Sequence, residues 1–191
     1  MKFNLDIYLE NLDKIIQNIL STTDSKNLTY DILDNEISKQ FKLAILEEKQ
    51  YRMKIGQIWQ EVIGTYDGYI NLGNRSGIDI ISYDKKIVIE LKNRTNTDNY
   101  SSKYFNMNKL AEFKKHNPEY TCIYANINCN SEEETLVGFD KRVIYRDIEI
   151  KHKAGYNFLN FIFGTDTHVI INFVKSSISK HCFNTFTYCN S

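Results

Sequence analysis

Two short stretches hold residue types that can do chemistry together. Val88-Ile89-Glu90-Leu91-Lys92-Asn93 reads as an aliphatic β-strand that nevertheless carries a carboxylate and an ammonium two residues apart. Strand side chains alternate faces with period two, so Glu90 and Lys92 project to one side while Ile89 and Leu91 enter the core. Gly77-Ile78-Asp79-Ile80-Ile81-Ser82 lies just upstream, and Asp84-Lys85-Lys86 fits a tight hairpin between the two, although without the usual turn glycine. On antiparallel neighbours, facing Cβ atoms are about 4.5–5.5 Å apart, so the Asp79 carboxylate can approach that of Glu90.

Two like charges held that close repel unless a cation joins them. Hard oxygen ligands of this kind suit Mg²⁺, which keeps several waters and takes one or two protein carboxylates together with phosphate oxygens. Such an ion can polarise a phosphoryl oxygen and acidify a bound water, while Lys92 orients that water and offsets developing negative charge. The chemistry is hydrolysis of a phosphodiester. Glu-x-Lys is also what an ordinary edge strand presents to water, and Asp79 can be a plain turn residue, so the surrounding elements have to decide.

Apolar residues at helical spacing predict helices over Leu5–Leu20, behind Asn4 as N-cap, over 32–45, and over Arg52–Gly64, where Gly64 is a natural stop. The period then shortens. Tyr66–Leu72, Ile78–Ser82, Ile87–Leu91 and Thr121–Ile127 read as strands, with Leu136–Phe139 and Arg142–Ile150 as further strands. A helix over Ser101–His116, ending before Asn117-Pro118, links the third strand to the fourth, and Tyr156–Phe163 and Thr167–Lys180 close the chain as helices. The expectation is an α/β fold: a mixed central sheet of four or five strands flanked by helices, with helical N- and C-terminal parts.

The 191 residues, 42% hydrophobic and 25% charged, suit one globular domain rather than a disordered chain. Charge cancels at 24 basic against 24 acidic groups, which announces no polyanionic partner, yet its distribution is uneven. Lys85–Lys115 holds eight basic and three acidic residues, and a second excess follows at Lys141, Arg142, Arg146, Lys151 and Lys153. Cys122, Cys129, Cys182 and Cys189 form no Cys-x-x-Cys pair, so zinc is disfavoured and reduced thiols are expected. No apolar run reaches membrane-spanning length, and the start carries no basic-then-apolar leader, so a cytoplasmic protein is expected.

Asp79 at the head of a hairpin, Glu90-Leu91-Lys92 on the paired strand and a glutamate-bearing helix before them resemble the PD-(D/E)xK nuclease superfamily. Ile78 stands where the name motif has proline. The likeness continues through Asn93-Arg94-Thr95-Asn96-Thr97-Asp98-Asn99 and Ser101-Ser102, which look like the segment after the motif in certain type II restriction endonucleases. More loosely, 155–164 is similar to a C-terminal helical segment of the same group.

The resemblance implies one nuclease domain over 1–191, with 1–50 as a helical N-terminal part and 56–128 as the catalytic core. It implies a Mg²⁺-dependent endonuclease cutting double-stranded DNA at a short specific sequence. Asp79 and Glu90 would hold the metal, Lys92 would act on water and phosphate, and Glu61 in Ile58-Trp59-Gln60-Glu61-Val62 would support them; Gln57 and Gln60 are further candidates on that helix. Arg75, Arg94, Asn96, Thr97, Asn99, Ser101, Ser102 and Lys103 are the expected DNA contacts, mostly to phosphates. Arg142, Arg146 and Lys151 are candidates, with Arg75, for reading bases. A symmetric site implies a homodimer, and a companion methyltransferase acting on the same sequence is an expected partner. A junction resolvase, a repair nickase or a non-catalytic DNA-binding domain on the same fold are the alternatives.

Overall fold

The computed structural model describes residues 3–22, 39–73, 77–94, 100–128 and 137–187. Helix α1, Leu5–Ser21, starts where the Asn4 side chain accepts the Ile7 N–H, and it buries Tyr8, Leu12, Ile16, Ile19 and Leu20. Helix α2 runs unbroken over Lys39–Gly64 where two helices were expected, and 32–38 lies outside the described residues. Glu47-Glu48-Lys49-Gln50 contains only good helix formers, and the Glu48–Arg52 ion pair spans one turn across it, so nothing interrupts the hydrogen-bond ladder.

The strands are β1 (Ile70–Asn71), β2 (Ile80–Ser82), β3 (Ile87–Arg94), β4 (Thr121–Asn128), β5 (Asp140–Tyr145) and β6 (Ile148–Ala154), in the sheet order β1-β2-β3-β4-β6-β5. Pairing is antiparallel from β1 to β3 and between β5 and β6, and parallel for β3–β4 and β4–β6. Helix α3, Tyr100–His116, is the crossover between β3 and β4. Helices α4, Gly155–Phe163, and α5, Thr167–Thr187, follow the sheet.

The expected mixed α/β architecture is present, with six strands among the described residues instead of four or five. The segment predicted as one strand over Arg142–Ile150 is a hairpin, because Arg146 and Asp147 both adopt left-handed φ values of 48° and 62° and reverse the chain. Neither residue is glycine or asparagine, so the turn carries only the weak local signal of Asp147. Residues 137–139 lie outside a strand, which begins at Asp140. The predicted strand over Tyr66–Leu72 shrinks to Ile70–Asn71, since Tyr69 N–H closes a turn onto Tyr66 O at 2.8 Å. At the other hairpin, Lys86 with φ 52° fills the position expected of glycine, and its ammonium lies 5.0 Å from the Tyr120 ring centre.

Alternation divides the core in two. Ile80, Ile87, Ile89, Leu91, Ile123, Ala125 and Ile127 face Leu12, Ile16, Ile58, Val62, Phe158 and Ile170. On the other side Ile81, Val88, Cys122, Tyr124 and Ile150 pack on Met107, Leu110 and Ala111 of α3. Glu90 and Lys92 share the parity of Val88 and therefore lie on the α3 side. Asp13 of α1 accepts hydrogen bonds from Ser177 and Lys180, and its other partner on α5 is His181, which fastens the first helix to the last. Phe3, Tyr8, Tyr66 and Phe163 stack edge-on or tilted with ring centres 4.8–5.7 Å apart and add an aromatic seam there.

Candidate active site

β2 and β3 pair Ile80 with Ile89, so one further step in the register sets Asp79 opposite Glu90. Asp79 sits just before the strand, and its side chain continues the ladder: Oδ2 accepts the Leu91 N–H at 2.7 Å, and Oδ1 accepts Gln60 Nε2 of α2 at 3.0 Å. Its backbone carbonyl accepts Leu72 N–H at 2.8 Å. The carboxylate is thus fixed from two sides, by β3 and α2, while the chain after β1 holds the Asp79 backbone.

Glu90 is only 3% exposed. Lys92 Nζ donates to Oε1 at 2.9 Å, and Lys109 Nζ of α3 reaches Oε2 at 3.5 Å. Burial, and then the charge of Glu90, push the Asp79 carboxyl up to about 6, against the opposing pull of the Leu91 N–H, Lys92 and Lys109. Asp79, Glu90, Lys92, Lys109, Gln60, Asn106, Gly77 and Leu91 all line one cavity of about 320 Å³.

A carboxyl whose folded pKa is raised binds its proton more tightly in the native state, so stability is higher below the unfolded value of 3.8 and is lost as pH rises through about 6. Thermal unfolding in chelator is therefore expected to show a fall in stability, on the order of 3 kcal/mol, between about pH 4 and pH 6. Asp79→Asn should flatten that part of the profile; an unchanged slope in the variant would assign the effect elsewhere.

Glu61 lies one residue beyond Gln60 and is turned differently. Its Oε1 accepts Asn71 Nδ2 at 3.0 Å, and it lines a neighbouring cavity of about 590 Å³ on the α2 side, with Gln50, Lys54, Gln57 and Asn93. Gln60 borders both cavities and is the α2 residue bonded to Asp79. Arg94 ends β3 opposite Asn128. Ser101, Ser102 and Lys103 form the first turn of α3, Ser101 and Lys103 exposed and Ser102 half-buried. Arg75, Asn96, Thr97 and Asn99 lie outside the described residues. Arg142 and Lys151 face each other across the β5–β6 hairpin, and Arg146, at its turn, donates to Tyr104 Oη at 2.7 Å.

Sequence reasoning missed Lys109, counting it only as part of a basic run. The available signal was its phase, one turn after Asn106 on the margin of the apolar face formed by Met107, Leu110 and Ala111. Cys122 and Cys182 are not disulfide-bonded, and His181 is engaged with Asp13. Among the described residues no group of three or more His, Cys, Asp or Glu side chains gathers as a metal cage. Two carboxylates alone fit a hard cation that retains water, such as Mg²⁺, and do not fit a closed zinc site.

A mixed sheet with a crossover helix, holding paired carboxylates and ammonium groups around one cavity, suits a nuclease. The sequence pattern of the Eco47II restriction endonuclease family matches residues 4–179, and the chain belongs to that family. It is a type II restriction endonuclease, a site-specific DNA hydrolase. No curated protein matches the chain. Among the described residues no helix is long and apolar enough to cross a membrane.

Proposed function

We propose that the enzyme cuts double-stranded DNA using Mg²⁺ held by Asp79 and Glu90, with Lys92 acting on the attacking water and the scissile phosphate. The observation that carries this reading is the meeting of Asp79, Glu90 and Lys92 at one cavity, with Lys92 Nζ 2.9 Å from Glu90 Oε1. When bound, the ion would polarise a phosphoryl oxygen and lower the pKa of a water. Asp79 is held ready by Leu91 N–H and Gln60, so its carboxylate needs little reorganisation. Lys92 is aimed by Glu90 and lines the cavity, where its ammonium would orient water and stabilise charge growing on phosphate oxygens. Glu61 supports the site from α2 by holding Asn71, next to the turn that accompanies Asp79.

Arg75, Arg94, Asn96, Thr97, Asn99, Ser101, Ser102 and Lys103 are proposed to grip the DNA backbone where it leaves the catalytic strand. The first turn of α3 carries no acidic residue, which suits a helix end facing phosphate. A two-fold homodimer supplies one centre per strand of a symmetric site. Such an activity in a cell calls for a methyltransferase that marks the same sequence, and both enzymes would work in the cytoplasm. Residues 1–191 act as one nuclease domain in this reading.

The test is digestion of a complex genomic DNA with Mg²⁺ followed by sequencing of the fragment ends. One short symmetric sequence at every end is the expected result. Ends without a shared sequence, or uncut DNA, would refute the proposed activity.

A further inference from the structure

Glu90 is clasped on both carboxylate oxygens by ammonium groups from two different elements. Lys92 of β3 takes Oε1 at 2.9 Å, and Lys109 of α3 stands 3.5 Å from Oε2. The longer contact is the weaker one. Lys109 lines the 320 Å³ cavity with Asp79 and Lys92, and it also lines an adjoining outer hollow of about 290 Å³ with Gly77, Phe105, Asn108 and Glu112. It therefore stands between the carboxylate pair and the surface. Its stem is guided by Gly77, where an added Cβ would lie 3.4 Å from Lys109 Cδ, and by Phe105, whose ring centre is 5.2 Å from Nζ.

Without metal, two carboxylates face two ammonium groups and the charges balance. A divalent cation on the carboxylates leaves the same cavity with a surplus of positive charge, and the anion that can offset it is a phosphodiester. We propose that Lys109 is a second substrate-contacting residue. It pairs with Glu90 as a resident counter-ion before metal binds, then exchanges that partner for an oxygen of the scissile phosphate. This rests on the reading of Asp79 and Glu90 as the metal ligands.

Two opposite effects distinguish this role from a structural one. Lys109→Met removes a cation that competes with the metal, so Mn²⁺ binding to the DNA-free protein, followed by titration calorimetry, should tighten by about 3- to 10-fold. Single-turnover cleavage in Mg²⁺ should nevertheless fall by about 10²-fold. In Ca²⁺, the slope of log affinity for DNA against log salt should shrink by about 1. Lys109→Arg should keep the salt slope, and Lys109→Gln gives a second uncharged variant should the methionine form fold poorly.

Unchanged or weaker Mn²⁺ binding in the uncharged variants, or cleavage within about 3-fold of the parent, overturns the assignment. Asp79→Asn, titrated alongside, separates the two readings. If it still binds Mn²⁺ like the parent, the metal site itself falls and the Lys109 proposal with it. If it loses Mn²⁺ while Lys109→Met changes nothing, only the Lys109 role falls.

Discussion

Lys92→Ala is expected to lower DNA cleavage in Mg²⁺ by about 10³-fold, with DNA affinity in Ca²⁺ held within a few-fold of the parent. Lys92 Nζ lies on Glu90 inside the cavity that also holds Asp79, so in the proposed mechanism its charge acts where negative charge grows during phosphodiester cleavage. The same geometry predicts that the variant folds. Removing Lys92 leaves Glu90 buried, but Lys109 remains 3.5 Å from Oε2, so the carboxylate keeps a cationic partner. The stability loss should then be about 1–2 kcal/mol, well below the 3–5 kcal/mol typical of orphaning a buried charge. Single-turnover rates, denaturation midpoints and Ca²⁺-supported DNA binding separate these effects. Cleavage within about 10-fold of the parent, or an unfolded variant, would show that Lys92 serves the fold rather than the reaction.

The strand that carries Glu90 and Lys92 was legible because its chemistry violates its surroundings. Glu90 and Lys92 interrupt a run of aliphatic residues that otherwise asks to be buried, and period two assigns both to one face. The register that brings Asp79 opposite them follows from the hairpin through Asp84–Lys86, and β3 pairs with β2 in that way. The α2 partner was less clear, since Gln60 and Glu61 are adjacent and a helix turns about 100° per residue. The packing of Ile58, Val62 and Ile63 onto the sheet fixes the phase, and it delivers Gln60 to Asp79 and Glu61 to Asn71. Lys109 was hard to read for another reason: its phase puts it on the margin of the apolar face of α3, but only long-range packing decides that the crossover carries it back over Glu90, 19 positions earlier. The β5–β6 turn was missed because Arg146 and Asp147 are held left-handed by pairing on both sides, a non-local cause.

Gly64→Ala is expected to damage the link between fold and site. Gly64 ends α2 and lies against β1 so closely that an added Cβ would stand 2.4 Å from Asn71 Cβ, 2.6 Å from its backbone nitrogen and 2.7 Å from its Cα. Two of those atoms are backbone, so a rotamer change cannot relieve the clash, and either α2 or β1 must shift. Alanine would favour the helix by up to about 1 kcal/mol over glycine, which is smaller than the overpacking cost of about 1–3 kcal/mol or more. The net loss should be about 1–2 kcal/mol, seen as a drop in Tm of roughly 2–8 °C for a chain of this size. The displacement also reaches the chemistry. Asn71 holds Glu61, and Gln60, one helical turn before Gly64, holds Asp79. A shift of about 1 Å in that helix end is enough to lower cleavage by roughly 10- to 100-fold at a temperature where the variant is still folded. Gly56→Ala is the control, because a Cβ there meets nothing within 4 Å and only the helix preference remains. A Gly64→Ala enzyme as stable and active as Gly56→Ala would show that the α2–β1 contact does not set the position of Asp79.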